Sequence, residues 1–439
     1  MKPIHVGLLG IGTVGGGVYT VLARNAQEIS RRAGRPIQIS VVAEKNLELA
    51  RKVTQNACRL TDDAFAVVGD PEVDVVVELI GGYGIARELV LKAIENGKHV
   101  VTANKALLAV HGNEIFAAAQ EKGVIVAFEA AVAGGIPIIK ALREGLAANH
   151  IEWVAGIING TTNFILSEMR DKGLPFAEVL REAQRLGYAE ADPTFDIEGI
   201  DAAHKATLIA SIAFGIPVQF DRAYVEGIAR LEAADIRYAE QLGYRIKLLG
   251  LARRRADGVE LRVHPTLVPA KRLLANVEGA MNAVLVKADA VGMTLYYGKG
   301  AGAEPTASAV IADLVDVARA AATDPDNRVP HLAFQPNRLH AREALPVLPI
   351  GEAETAYYLR LTVEDKPGVL ADVTRLLADE DISIDAMLQR GPDEGEGETD
   401  IIILTHVCRE RQADAAIGRI ESLAAVRGKV TKLRLESLQ

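Results

Sequence analysis

Asp201 and Lys205 stand four residues apart in a stretch that is otherwise strongly apolar, with Ala206, Leu208, Ile209, Ala210, Ile212, Ala213 and Phe214 following. Spacing of i and i+4 puts both charges on one face of a helix. On an exposed helix this is an ordinary ion pair, contributing about a few tenths of a kcal/mol. On a buried helix the charges need partners, and a desolvated lysine beside a carboxylate is tuned for proton transfer. Spacing alone leaves both readings open. Just upstream lie Glu190, Asp192, Asp196 and Glu198. They read either as an acidic turn or as a seat for a cationic group. Their spacing is not that of an EF-hand loop, which makes calcium a poor fit.

A second lysine, Lys105, ends the segment His99-Val100-Val101-Thr102-Ala103-Asn104-Lys105. The run reads as a buried strand, so Lys105 falls just past its carboxyl end, where ligands of open α/β sheets bind. The alternatives are a first-turn surface lysine, and for Asn104 a plain helix cap. Gly10-Ile11-Gly12-Thr13-Val14-Gly15 fits the phosphate-binding pattern G-x-G-x-x-G directly after the strand Ile4–Leu9 and at the start of a helix. Gly10 permits the tight turn, Gly12 lets backbone approach a pyrophosphate, and Gly15 allows close helix–sheet packing. The free N–H groups of the helix start, at Thr13 and Val14, face the phosphates. After the second strand come Glu44 and Lys45. An acid there grips the ribose hydroxyls of NAD, and a cation pairs with the 2′-phosphate of NADP. The reading taken is NADP through Lys45, against NAD or a merely solvated loop.

These residues need a scaffold. Short Val/Ile-rich runs at 4–9, 38–43, 73–80, 99–103 and 124–128 alternate with helical stretches over 14–29, 85–96 and 105–122. Such alternation predicts a parallel sheet covered on both faces, a doubly wound Rossmann-type domain. Residues 131–302 mix helices at 164–172, 176–186 and 201–214 with a strand-like block at 259–268, an α+β pattern. A Pro-rich stretch, 321–353, reads as a linker. From 354 the order strand 357–363, helix 369–379, strand 382–388, an acidic glycine-rich tip 391–398, strand 400–407, helix 412–424 and strand 429–435 is βαββαβ, the ferredoxin-like arrangement.

The bulk composition narrows the class. The chain has 439 residues, 49% hydrophobic and 24% charged, with a formal net charge of -9. That argues against nucleic acid or an anionic membrane as partner. No apolar run reaches about 18–20 residues, so no membrane span is expected. Met1-Lys2-Pro3 leads straight into a strand pattern with no signal-peptide core. Cys58 and Cys408 are too few and too distant for a disulfide framework and fit a reducing cytoplasm.

Six segments together resemble homoserine dehydrogenase, in family order across about residues 1–320: the Gly10–Gly15 turn, Thr102–Lys105, Phe128–Pro137, Gly160–Phe164, Glu190–Lys205 and Gly300–Thr306. Residues 354–439, with Asp365-Lys366-Pro367-Gly368-Val369-Leu370, resemble an ACT domain. The resemblance implies a cofactor domain of 1–130 plus about 303–320, and a catalytic and dimerisation role for 131–302. It implies Lys205 as the catalytic lysine with Asp201 its acidic partner. It makes Lys105 a lysine near both substrate and cofactor, and Glu190 and Asp196 the carboxylates that hold the substrate's amino-acid end. Thr102 and Gly302 fall near the nicotinamide, while Glu129 with the carbonyls of Val132, Gly134 and Ile136 matches a monovalent cation site, usually sodium. The implied reaction is the NAD(P)-dependent interconversion of L-aspartate 4-semialdehyde and L-homoserine. The implied effector is an amino acid, threonine first, and the implied assembly a homodimer or homotetramer. No kinase portion accompanies it. The family commonly has an arginine after strand two where this chain has Glu44-Lys45, which bears on cofactor choice. Two rivals remain. A thiohemiacetal-forming semialdehyde dehydrogenase needs a cysteine nucleophile, and neither cysteine lies in such a motif. A nicotinamide-ratio sensor without turnover has no use for the Asp201/Lys205 pair.

Overall fold

Near-continuous valine runs drive the first layer of the computed structural model, which describes residues 2–334, 345–389 and 397–439. Six parallel strands, β1 (Ile4–Leu9), β2 (Ile37–Ala43), β3 (Arg59–Thr61), β4 (Val75–Glu78), β5 (His99–Thr102) and β6 (Val126–Ala127), lie in the order 3-2-1-4-5-6. Alternate side chains serve opposite faces. Val75, Val77 and Val101 join the cluster that the helix Ala303–Ala320 covers, whereas Val76 and Val100 face the helices Gly84–Glu95 and Lys105–Glu121. With both faces buried, the strands read as unbroken apolar runs. The doubly wound reading is borne out. The order reverses between β1 and β4, and this switch point is where such sheets bind ligands.

Local chemistry sets the boundaries. The helix expected over 14–29 is two helices, Thr13–Arg24 and Ala26–Ala33, broken at Asn25. The strand expected over 124–128 shrinks to β6, because Phe128 and Glu129 turn into a short 3-10 segment.

Among the described residues the second sheet has eleven strands. β7 (Ile151–Ile157), β9 (Tyr244–Arg254), β10 (Val259–Pro269), β11 (Met281–Ala288) and β12 (Gly292–Lys299) form the mid-chain part, and β8 (Tyr224–Val225) pairs with β10. The ACT-like part contributes β13 (Glu354–Glu364), β14 (Ile384–Gln389), β15 (Glu398–Thr405), the bridge β16 (Cys408–Arg409) and β17 (Val426–Leu435), with helices Val369–Asp379 and Glu410–Ile420. The two parts are one sheet: β17 pairs in parallel with β10 at Thr266↔Arg434 and Leu267↔Leu435. The tail continues the contact, since Glu436 N–H donates to the Leu267 carbonyl at 3.0 Å and Leu438 is buried beside Trp153 and Leu249.

The 321–353 stretch is no free tether where it is described. His331 Nε2 accepts from Val126 N–H at 3.1 Å, Arg328 donates to the Gly123 carbonyl at 2.7 Å, and Val347 bridges Val259. Around Val347 the backbone extends along the sheet edge, with Val259 N–H donating to the Pro346 carbonyl at 2.8 Å and Leu348 N–H to the Val259 carbonyl at 2.9 Å. Pro336 and positions 391–396 of the acidic tip lie outside the described residues.

Candidate active site

The Ile200–Phe214 helix is buried all round, which decides between the two readings of its charges. Gly199, in the left-handed region at φ 81°, caps its start. Asp201 is 6% exposed and Lys205 9%. Lys205 Nζ donates to Asp201 Oδ2 at 2.6 Å and to the Ile158 carbonyl at 2.8 Å. The other carboxylate oxygen, Oδ1, stands 3.1 Å from Lys105 Nζ. Two ammonium groups therefore share one buried carboxylate. Burial by itself would raise the Asp201 carboxyl, but the charges of Lys205 and Lys105 hold it well below the usual carboxylate range. Burial pushes the Lys205 ammonium below its ordinary value, with Asp201 opposing. Lys105 moves the other way, raised above all by the Asp201 charge.

This contact joins the two halves of the molecule. Lys105 opens its helix one turn beyond β5, at the carboxyl edge of the parallel sheet. A chain of bonds holds it there. The buried Glu78 accepts from Thr102 Oγ1 at 2.7 Å, Thr102 Oγ1 accepts from Asn104 N–H at 3.0 Å, and Asn104 caps Leu107 N–H at 3.0 Å while donating to the Gly82 carbonyl. Asn104 is therefore the N-cap of the helix that Lys105 begins.

Asn159 is a residue that sequence reading missed. Its Nδ2 donates to Asp196 Oδ1 at 2.7 Å and to Asp201 Oδ2 at 2.8 Å, while its Oδ1 caps Thr162 N–H. An asparagine before a helix looks like a cap and nothing more, so only its second partner set reveals it. Asp196, half-buried on the turn Thr194–Ile197, is raised by burial first. Glu190 is exposed at the rim, and its charge reaches Lys105. Asp192 spends its carboxylate on Thr194 and points elsewhere. Next to Lys205, His204 is fully buried between Phe195 and Phe220, and burial brings its imidazole down to about 4.

At the glycine turn each position has a distinct reason. Gly10 has φ 90° and its added Cβ would meet the Leu79 carbonyl at 2.9 Å; at Gly15 the clash, with the Gly10 carbonyl, is at 2.1 Å. A Cβ on Gly12 would meet nothing within 4 Å, so this glycine keeps space clear for something else. That open cradle at a helix start, with Thr13 exposed beside it, fits a dinucleotide pyrophosphate. Glu44 lies alongside, its carboxylate accepting from Ile11 N–H at 2.9 Å and Asn46 N–H at 3.0 Å, with Lys45 exposed next to it. Gly302, at φ 131°, starts the Ala303–Ala320 helix, which approaches the first helix so closely that a Cβ on Gly17 would sit 2.4 Å from the Ala303 carbonyl.

Glu129 is buried. Its two oxygens accept from Ile139 and Lys140 N–H at 2.8 and 2.9 Å, and its own N–H donates to the buried Asp313. The nearest ammonium, that of Lys140, is committed to Asp316 and the Ala312 carbonyl. Val132 to Ile136 form a turn with Ala133 at φ 55° and Gly134 at φ 53°. Among the described residues no group of three or more His, Cys, Asp or Glu could hold a metal ion, so a cation here would rely on backbone carbonyls. Both cysteines are free, and burial raises each thiol, Cys408 to about 11. Neither is a poised nucleophile.

Family models agree with this geometry. Residues 137–315 match the homoserine dehydrogenase model, 10–129 its NAD-binding domain, and 357–425 the ACT domain. The chain is 63% identical over 438 residues to a homoserine dehydrogenase of Pseudomonas aeruginosa, covering all of both chains. The chain belongs to the homoserine dehydrogenases. A crystal structure of a homoserine dehydrogenase from Thiobacillus denitrificans superposes with a TM-score of 0.95 at 68% identity, covering 100% of this chain and 99% of that one. A hyperthermophilic archaeal homoserine dehydrogenase in complex with NADPH covers 72% of this chain and 97% of its own, with a TM-score of 0.61 at 25% identity. The enzyme is an NAD(P)-dependent oxidoreductase carrying a C-terminal ACT domain. No helix among the described residues is long and apolar enough to cross a membrane.

Proposed function

We propose that Lys205 carries the proton in the interconversion of L-aspartate 4-semialdehyde and L-homoserine, with Asp201 its charge partner and Lys105 a second ammonium over the same carboxylate. The observation behind this is the Lys105–Asp201–Lys205 cluster, which ties the buried mid-chain helix to the carboxyl edge of the cofactor sheet. The nicotinamide, when bound, exchanges a hydride with the carbon that bears the hydroxyl. In the oxidation direction Lys205 must be neutral to take the hydroxyl proton, and its depressed affinity for protons suits that task. Glu190 and Asp196 face the substrate ammonium, as paired carboxylates should. Gly10, Gly12, Thr13, Val14 and Gly15 receive the pyrophosphate, and Thr102 and Gly302 border the nicotinamide half. The cofactor is NADP in preference to NAD. Lys45 serves the 2′-phosphate of NADP, and Glu44 beside it serves the ribose hydroxyls of NAD.

Residues 1–130 with 303–320 act as the cofactor unit, 131–302 as the catalytic and dimerisation unit, 321–353 as the connection and 354–439 as the regulatory unit. Glu129 and the carbonyls of Val132, Gly134 and Ile136 hold a monovalent cation, sodium by preference. Two buried carboxyls, Glu129 and Asp313, without a free ammonium beside them, support that reading. The ACT domain takes threonine and lowers turnover, the assembly is a homodimer or homotetramer, and the compartment is the cytoplasm. A substrate panel assayed at about 340 nm, the band of the reduced nicotinamide, with NAD and NADP and with and without threonine, tests these points together. Homoserine oxidation surviving in a folded Lys205→Ala variant at near-parental turnover would overturn the central assignment.

A further inference from the structure

A buried arginine, Arg434, links the ACT domain to the segment that packs on the turn bearing Asp196. β8 and β17 lie end to end on one edge of β10, with Tyr224 and Val225 paired to Arg262 and Val263, and Arg434 and Leu435 paired to Thr266 and Leu267. Arg434 is wholly buried. Within its own domain it donates to Glu410, and across the gap its Nη1 donates to Glu226 Oε2 at 2.8 Å. Its guanidinium stacks over the Tyr224 ring at 4.7 Å, and the Tyr224 hydroxyl donates to the same Glu226 oxygen at 2.9 Å.

Glu226 opens a short backbone run that grips the turn bearing Asp196. Glu226 N–H is pinned to the Val263 carbonyl at 2.8 Å, and Ile228 N–H donates to the Ile197 carbonyl at 2.8 Å. The grip is close: a Cβ on Gly227 would lie 2.3 Å from that carbonyl. The cap of the Asp201 helix rests on the same run, since a Cβ on Gly199 would meet the Glu226 carbonyl at 3.4 Å. From the opposite side Asn159 donates to Asp196 at 2.7 Å and Phe195 packs against His204.

We propose that Arg434 of the ACT domain, acting through Glu226, is a positioning residue for the substrate's amino-acid end. It sets the place of the Thr194–Ile197 turn, and hence of Asp196, without touching substrate. The inference rests on the reading of Asp196 as a substrate carboxylate. Neutralising Glu226 leaves the Arg434–Glu410 pair in place, so the fold keeps its buried charge partner.

The test is steady-state kinetics on the full-length enzyme. Glu226→Gln should raise KM for homoserine roughly 3- to 10-fold, inside the span of about 2- to 30-fold typical of coupling through packed hydrogen-bond networks. It should leave kcat, KM for the cofactor and the melting temperature near the parental values. Glu226→Asp should recover part of the loss. Tyr224→Phe, which deletes one hydrogen bond to the same oxygen, should shift KM for homoserine in the same direction by less, and serves alone should Glu226→Gln fail to fold. Asp196→Asn runs in parallel. An unchanged KM for homoserine in Asp196→Asn refutes the reading of the site itself. A raised KM there with an unchanged KM in Glu226→Gln and Tyr224→Phe refutes the positioning role alone. Equal rises in both KM values, or loss of kcat at constant KM, also refute it, because a loosened fold rather than a placed turn would then be the cause.

Discussion

Replacing Asp201 by asparagine keeps the shape of the side chain and removes the one negative charge that two ammoniums share. Lys205 Nζ lies 2.6 Å from that carboxylate and Lys105 Nζ 3.1 Å. At an effective dielectric constant of about 20, unit charges at such separations attract by roughly 5–6 kcal/mol each. The amide retains part of this through its dipole, so the cost of a broken buried pair, about 3–5 kcal/mol, is the better guide. At about 1.36 kcal/mol per tenfold, that corresponds to a fall of roughly 150- to 5,000-fold in kcat/KM. The sign of the pH effect also follows. Burial already lowers Lys205, and Asp201 is the main influence raising it again. Without Asp201 the lysine releases its proton more readily, so the acid limb of homoserine oxidation should move to lower pH. Because the equilibrium constant at a given pH is not the enzyme's to change, both directions lose kcat/KM together. The assay is initial rate at 340 nm from pH 6 to 10, with cofactor affinity by fluorescence titration and the melting curve as controls. A folded Asp201→Asn variant whose kcat/KM stays within about fivefold of the parent, with an unmoved limb, would refute the reasoning.

Gly12→Ala should leave the melting temperature nearly unchanged, since the added Cβ meets nothing within 4 Å, yet raise KM for the cofactor more than tenfold by filling the pyrophosphate cradle. Gly15→Ala, by contrast, drives a Cβ into the Gly10 carbonyl and should lower the melting temperature as well; differential scanning calorimetry separates the two. Glu44→Arg should shift the ratio of kcat/KM for NADP over NAD towards NADP by roughly tenfold or more, because it turns a repelling charge on a 2′-phosphate into an attracting one. Glu410, fully buried against Arg434 and Lys432, is held down to about 2 from the usual 4.5. A carboxyl depressed in the folded state adds stability above about 4.5 that is lost as pH falls through about 2. Urea unfolding should show the ACT domain losing its anchorage across that window, and Glu410→Gln should flatten the dependence.

Much of this was legible before any coordinates. Local periodicity dictates the strands of the parallel sheet, because both of its faces are covered and most positions are therefore apolar. The glycine turn is readable because only glycine tolerates the Gly10 backbone and the Gly15 approach. The Val369–Asp379 helix ends where its pattern ends. The charges at 201 and 205 advertise themselves through the apolar company they keep.

Spacing could not tell whether those charges were buried, since i, i+4 geometry is the same on an exposed and on an enclosed helix. Burial depends on what packs around Ile200–Phe214, namely strands β7, β9 and β10 and the helix that Lys105 begins. Asn159 joins the cluster by the same route, through a partner 42 residues away. The fusion of the ACT strands to the catalytic sheet escaped the sequence too. A strand's identity is written in its side chains, but its neighbour is chosen by backbone hydrogen bonds, which carry no residue signature. Chain order therefore determined the parts and most of the reactive groups, and only the folded arrangement decided that one carboxylate would answer to two lysines and that Arg434 would reach Glu226.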